Sequence, residues 1–328
     1  MNPKRRMSRG LVIGEVLAAV AMGGTLLAAA AVAIMPGGAQ PAAGQPVPGQ
    51  PATGQPAGDP IVDEKVKALK SARDAARELK DQTQVRGIVQ SLVIFSQNST
   101  NGRFPRPSEI DLKNTTVREL GRAKDTSANL YSVLVFGGFV STELLVSPLE
   151  TSASIKSFDG YEYSTPKLAV KPDEAIWDPA FASDFTDGRT GNVSYAHQTM
   201  TPSRDVLWTF DAGIIPVISN RGPRVSAVLD VPEAGPLVNP ITDPKTSNTF
   251  KFFSDKSSWR GHVGLTDGSV ALMTSMLAPG ITYADAKGNK RSDVLFFDEP
   301  DDASRTNHYL TITTHAGQRD SNFRAIWD

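Results

Sequence analysis

Twenty consecutive residues, Val16 to Met35, carry no charge and are mostly Ala, Leu, Val, Met and Gly. As a helix rising about 1.5 Å per residue, such a run reaches roughly 30 Å, the thickness of a bilayer's hydrocarbon core. The run predicts a transmembrane helix over residues 11–35. Lys4, Arg5, Arg6 and Arg9 precede it. The positive-inside rule then leaves the N-terminus in the cytoplasm and the rest of the chain outside it. The alternative is a secretory signal peptide cut at the small-x-small triplet Ala31-Val32-Ala33, although the apolar core of such a peptide is usually only about 7–15 residues long.

Residues 36–60 comprise seven Pro, six Gly, five Ala, four Gln and three others, with Gly-Gln-Pro recurring from Gly44, Gly49 and Gly54. A tract this rich in Pro and Gly cannot bury a core and favours extended polyproline conformations. It reads as a spacer. Asp59-Pro60 then supplies an N-cap and a first-turn proline. Val62, Val66, Leu69, Ala72, Ala76 and Leu79 follow at helical spacing, and the stripe resumes with Val85, Ile88, Leu92 and Phe95. This predicts an amphipathic helix of roughly 35 residues ending before Asn101-Gly102. The charged residues Lys65, Lys70, Arg73, Asp74, Arg77 and Glu78 read as its solvated face, with a coiled-coil partner as the alternative.

A second helix is expected over Ser127–Phe136, closed by Gly137-Gly138. Beyond it the pattern turns to strands, separated by Pro, Gly, Asp and Asn. These fall at 192–198, 206–210, 214–219, 225–229, 249–253, 262–266, 269–273, 294–297 and 309–313, with Asp267-Gly268 as a hairpin signal. The fold class expected is therefore α+β: a transmembrane helix, a Pro/Gly/Gln linker, and a long amphipathic helix packed on a mostly antiparallel sheet. The domains follow as a leader (1–10), a transmembrane helix (11–35), a linker (36–60) and a head (61–328).

Composition removes several classes of function. The chain holds no cysteine, which excludes disulfide scaffolds, thiol catalysis and lipidated-Cys anchors. Net charge is -1, and no Arg/Lys stripe interleaved with aromatics suggests nucleic acid. Phosphate-cradling glycine loops are missing, and no pair among His197, His262, His308 and His315 has zinc-helix spacing. Asp298, Glu299, Asp301 and Asp302 form the densest acidic run. Carboxylates so crowded repel one another, which a hard cation such as calcium would relieve; the alternative is a solvated acidic loop.

Glu15 is the one charge between Arg9 and Asp59. A carboxylate inside an apolar helix is costly and needs a partner. A cut between Gly10 and Leu11 would make Glu15 the fifth residue. The new α-amino group of Leu11 on one subunit could then neutralise Glu15 of its neighbour. The constellation Lys4-Arg5-Arg6-Met7-Ser8-Arg9-Gly10, then Leu11-Val12-Ile13-Gly14-Glu15, then the apolar run, resembles the class III signal of type IV prepilins and type II secretion pseudopilins. Leu11 stands where that family usually has Phe. Further segments look like the family's head: Asn101-Gly102-Arg103-Phe104-Pro105, Leu144-Leu145-Val146-Ser147-Pro148 with Ser147 at a usual Cys, and Asn192-Val193-Ser194-Tyr195-Ala196. In Trp259 to Val270, the residues His262, Asp267 and Gly268 resemble its His…Asp-Gly element, at a shorter spacing.

The resemblance implies a non-enzymatic subunit of a pilus-like or type II secretion-like assembly, single-pass in a bacterial inner membrane. A prepilin peptidase would process Gly10–Leu11 and the new terminus would be N-methylated. Contacts with other pilin-like subunits and with inner-membrane lipid would run through the N-terminal helix, with Glu15 setting register. No catalytic residue and no obligatory cofactor is implied; calcium in a late loop is an added expectation by analogy. The competing reading is a tethered or secreted binding or hydrolytic domain, with Trp177, Trp208 and Trp259 as carbohydrate platforms.

Overall fold

A computed structural model describes residues 60–328 apart from 232–234, 242, 244, 254–257 and 303. Helix α1 runs Pro60–Asn98. After it come the short α2 (Pro107–Ile110) and α3 (Ser127–Phe136). Thr126 caps α3, its side chain accepting from the Asn129 N–H, and Gly137 closes the helix with its N–H on Val133 O. These ends agree with the residue chemistry of caps.

The strands are β1 (Tyr195–Gln198), β2 (Pro216–Asn220), β3 (Val225–Val231), β4 (Gly235–Pro240), β5 (Gly261–Leu265), β6 (Val270–Met273), β7 (Leu277–Ala284), β8 (Lys290–Val294), β9 (Leu310–His315) and β10 (Arg324–Ile326). Six of them form one sheet in the order β10-β9-β1-β2-β5-β6, while β3-β4 and β7-β8 are separate two-stranded ribbons. All these pairings are antiparallel.

The six-stranded sheet separates two apolar clusters. One contains Val85, Ile88, Val89 and Leu92 of α1 with Leu130, Tyr131 and Leu134 of α3, Tyr195 and Ile218. The other contains Ala196, Val263, Leu310, Ile312, Trp259 and Phe296. Tyr195 and Ala196, or His262 and Val263, point to opposite faces because strand side chains alternate. The C-terminal half of α1 thus seats on β2 and β5, whereas most of residues 61–80 stay exposed.

The expected fold class needs correction. Among the described residues no helix is long and apolar enough to cross a membrane. Helix α1 carries charges along its length and cannot serve as one. The described chain is mostly β-sheet with one long helix near its start, not an α+β head behind a membrane helix. The leader, the segment 11–35 and the linker up to residue 59 lie outside the described residues, and with them Gly10, Leu11 and Glu15.

Several strand assignments also change. Residues 206–210 are not a strand: a 3-10 turn spans Pro202–Leu207, and the Trp208 indole N–H is held by Pro105 O at 3.1 Å. Thr249–Lys251 is likewise a 3-10 turn with Phe250 buried. The run 294–297 begins where β8 ends. Buried apolar runs look alike in sequence whether or not they find a ladder partner. Conversely, β4 contains Pro236 and Pro240 and β7 contains Pro279 and Gly280. Prolines are tolerated there because two-stranded ribbons are all edge.

Candidate functional site

A buried polar cluster lies under α1. Asp81 is fully buried, and four side chains from four distant segments reach it. Oδ1 accepts from Tyr195 OH at 2.9 Å, from Asn220 Nδ2 at 3.0 Å and from Ser147 Oγ. Oδ2 faces His262 Nδ1 at 2.6 Å. Around this first ring, Asn220 Oδ1 accepts the His262 backbone N–H at 2.6 Å. Ser147 N–H donates to Ser194 Oγ at 2.6 Å, and Ser147 Oγ accepts the Leu149 N–H at 3.0 Å. Gln84, one turn on from Asp81, offers Oε1 to Tyr195 OH at 3.1 Å. Burial and the negative field of Asp81 push the Tyr195 phenol well above its usual range, so it stays a donor.

Three residues singled out by the resemblance therefore converge: Ser147, Tyr195 and His262 all meet at Asp81. Asp267 and Gly268 do not join them. Gly268 closes the β5–β6 turn with φ 85° and its N–H on Leu265 O. The exposed Asp267 carboxylate accepts from Ser269 N–H at 2.9 Å and Ser269 Oγ at 2.6 Å. These local bonds hold Asp267 below the usual carboxylate range.

Asp81 itself escaped sequence reasoning, being passed over among the polar residues of α1. The signal was available: counting back four and seven residues from Val85 and Ile88 lands on Asp81, which places it on the buried face.

A hydroxyl, an imidazole and a carboxylate in contact invite comparison with a hydrolytic triad. In a triad the imidazole stands between the other two, so that one nitrogen takes the hydroxyl proton while the carboxylate orients the other. Here the carboxylate stands in the middle. Ser147 gives its proton directly to Asp81, and only 3% of Ser147 is exposed. A second pair, Ser127 Oγ and His197 Nε2 at 2.7 Å, has a nucleophile–base distance. Both residues are fully buried, and His197 Nδ1 faces Gln198 O rather than an acid. Burial pulls the His197 pKa down to about 4. Both arrangements join elements of the fold: Asp81 ties α1 to the sheet, and Ser127, which also accepts the Thr313 N–H at 2.7 Å, ties α3 to β9.

The acidic run turns inward. Asp298 Oδ1 accepts from Arg204 Nη2 at 2.7 Å and Arg305 Nη1 at 2.9 Å. Glu299 takes the Val294 N–H at 3.0 Å and Asn307 Nδ2 at 2.7 Å. Asp301 accepts Tyr283 OH at 2.7 Å, and Asp302 the Asn307 N–H at 2.7 Å. Burial, then the neighbouring charge of Asp293, raises the Glu299 pKa to about 8. Each carboxylate is engaged by protein donors, Asn307 serving both Glu299 and Asp302. No group of three or more acidic or histidine side chains among the described residues is placed to hold a metal ion. The calcium expectation gains no support from this donor set.

His308 also belongs here, its Nδ1 and backbone N–H both 2.8 Å from Asp293 Oδ2. Trp177, Trp208 and Trp259 are all fully buried and present no stacking platform to a sugar.

Searches for similarity found no matching family model, curated protein or solved structure.

Proposed function

We infer that this chain is a non-enzymatic structural subunit of the pilin-like kind, attached to a bacterial inner membrane through its N-terminal stretch, with its folded part outside the cytoplasm. The supporting observation is that the polar centre at Asp81 is closed. Its hydroxyl, imidazole, amide and phenol groups are spent on one carboxylate beneath a helix, as suits a scaffold. The leader pattern ending at Gly10, with Glu15 five residues beyond it, supplies the kind of assembly. In this reading a prepilin peptidase cuts before Leu11, and Glu15 pairs with the amino terminus of an adjacent pilin-like subunit.

N-terminal mass analysis of the protein from cell membranes tests this. The expected product begins at Leu11, methylated. A start at Met1 would reduce the segment to a plain anchor, and a start at Ile34 or later would make the protein a secreted one. Either result removes the assembly role. Glu15→Ala should impair assembly while leaving folding of residues 60–328 unchanged.

A further inference from the structure

Helix α1 has two faces that do not align. Its buried face, Asp81, Val85, Ile88, Val89 and Leu92, lies against the sheet. In the first half of the helix the apolar residues are Val62, Val66, Leu69, Ala72, Ala76 and Leu79. Counting about 100° per residue around a helix, the centre of this stripe lies roughly 160° from the buried face. It therefore points away from the sheet. Val62, Val66, Leu69 and Leu79 are 54%, 59%, 72% and 65% exposed, and none of them enters an apolar cluster among the described residues.

Carboxylates keep off the stripe, whereas cations lie both on it and off it, Lys67 and Lys70 being off it. Lys65, Arg73 and Lys80 fall within the stripe, all three exposed. Asp63, Glu64, Asp74 and Glu78 fall outside it by the same count. Arg77, at the stripe's margin, is tied to Pro148 O through Nε at 2.8 Å and Nη2 at 2.6 Å. An apolar stripe whose own charges are all cations complements a surface that is apolar beneath and negative above. That is the pattern of a helix lying in a membrane interface, its Lys and Arg stems reaching the headgroups. A second copy is disfavoured, because two such stripes face to face would oppose cation to cation.

We propose that the first half of α1, residues 60–80, lies on an anionic lipid surface. Val62, Val66, Leu69, Ala76 and Leu79 enter the interface, and Lys65, Arg73 and Lys80 meet the headgroups. This contact belongs to the folded part and is separate from the N-terminal attachment. Three cations near an anionic surface favour the seated state by about a hundredfold.

The test uses the full chain, which has no cysteine, so Leu69→Cys and Ser71→Cys each give one labelling site. Ser71 lies on the opposite side of the helix from the stripe. An environment-sensitive fluorophore is attached, and the protein is added to vesicles of phosphatidylcholine with or without phosphatidylglycerol. The expected result is a blue shift at position 69 only and with phosphatidylglycerol only, abolished by Lys65→Gln/Arg73→Gln/Lys80→Gln. No shift, a shift at both positions, or one indifferent to lipid charge overturns the proposal. So does a shift that scales with protein density, accompanied by energy transfer between copies, since that means a second copy covers the stripe. Sedimentation with phosphatidylcholine vesicles reads the N-terminal attachment independently. Circular dichroism shows that each variant is folded.

Discussion

Gly264 of β5 sits directly against Val89 of α1. A β-carbon built on Gly264 would lie 2.3 Å from Val89 Cγ2 and 3.1 Å from Val85 Cγ1. The helix therefore approaches the sheet at a point where only hydrogen fits, two residues along the same strand face from His262.

Gly264→Ala should destabilise the chain by about 1–3 kcal/mol, as overpacking of a well-filled core does. Adding Val89→Ala should recover part of that loss. Urea midpoints of the three variants decide it, and simple additivity would mean that the two positions do not touch.

Removing Asp81 strands three buried donors and an imidazole. Asp81→Ala should cost about 3–5 kcal/mol, since each buried group left without its acceptor costs about 1–3 kcal/mol. With His262→Ala it should couple by about 0.5–3 kcal/mol in a double-mutant cycle. Zero coupling would show that the 2.6 Å contact contributes nothing.

Neutral His197 ties stability to pH. Burial lowers its pKa from 6.5 to about 4 in the folded chain, so the unfolded chain takes up the proton first on acidification. The contribution is complete above pH 6.5 and is lost as pH falls toward 4. His197→Asn should be less stable at neutral pH but flatter across this window. Parallel pH profiles for the two proteins would refute the assignment.

Glu299 acts in the opposite sense. Its pKa rises from 4.5 to about 8 on folding, so the folded chain keeps a proton that the unfolded chain has released. Stability should fall as pH climbs from about 4.5 to 8, and this slope should shrink in Glu299→Gln. Denaturation midpoints at both ends of the window, compared between the two proteins, measure it.

What the sequence made legible follows what each signal depends on. The α3 boundaries could be read because Thr126 and Gly137 cap through local bonds. The β5–β6 turn was readable in Asp267-Gly268 for the same reason. Long-range partners were not: Asp81 and His262 stand 181 positions apart, and nothing near Asp81 announces them. The partners of the acidic run could not be read, because charge density in sequence does not tell whether Arg204, Asn307 and Tyr283 will arrive from elsewhere to satisfy it. Ser147, Tyr195 and His262 stood out as fragments of separate motifs, and only the fold shows that they share one acceptor.

Because Val62, Val66 and Leu69 are exposed, tension applied at the start of α1 passes along the helix backbone to Arg77, which is held on the Pro148 carbonyl. The next residue to bear load is Asp81. Pulling would therefore strain a handful of directional bonds before it disturbed the greasy packing at Val85 and Ile88, making the first yield point of the molecule electrostatic.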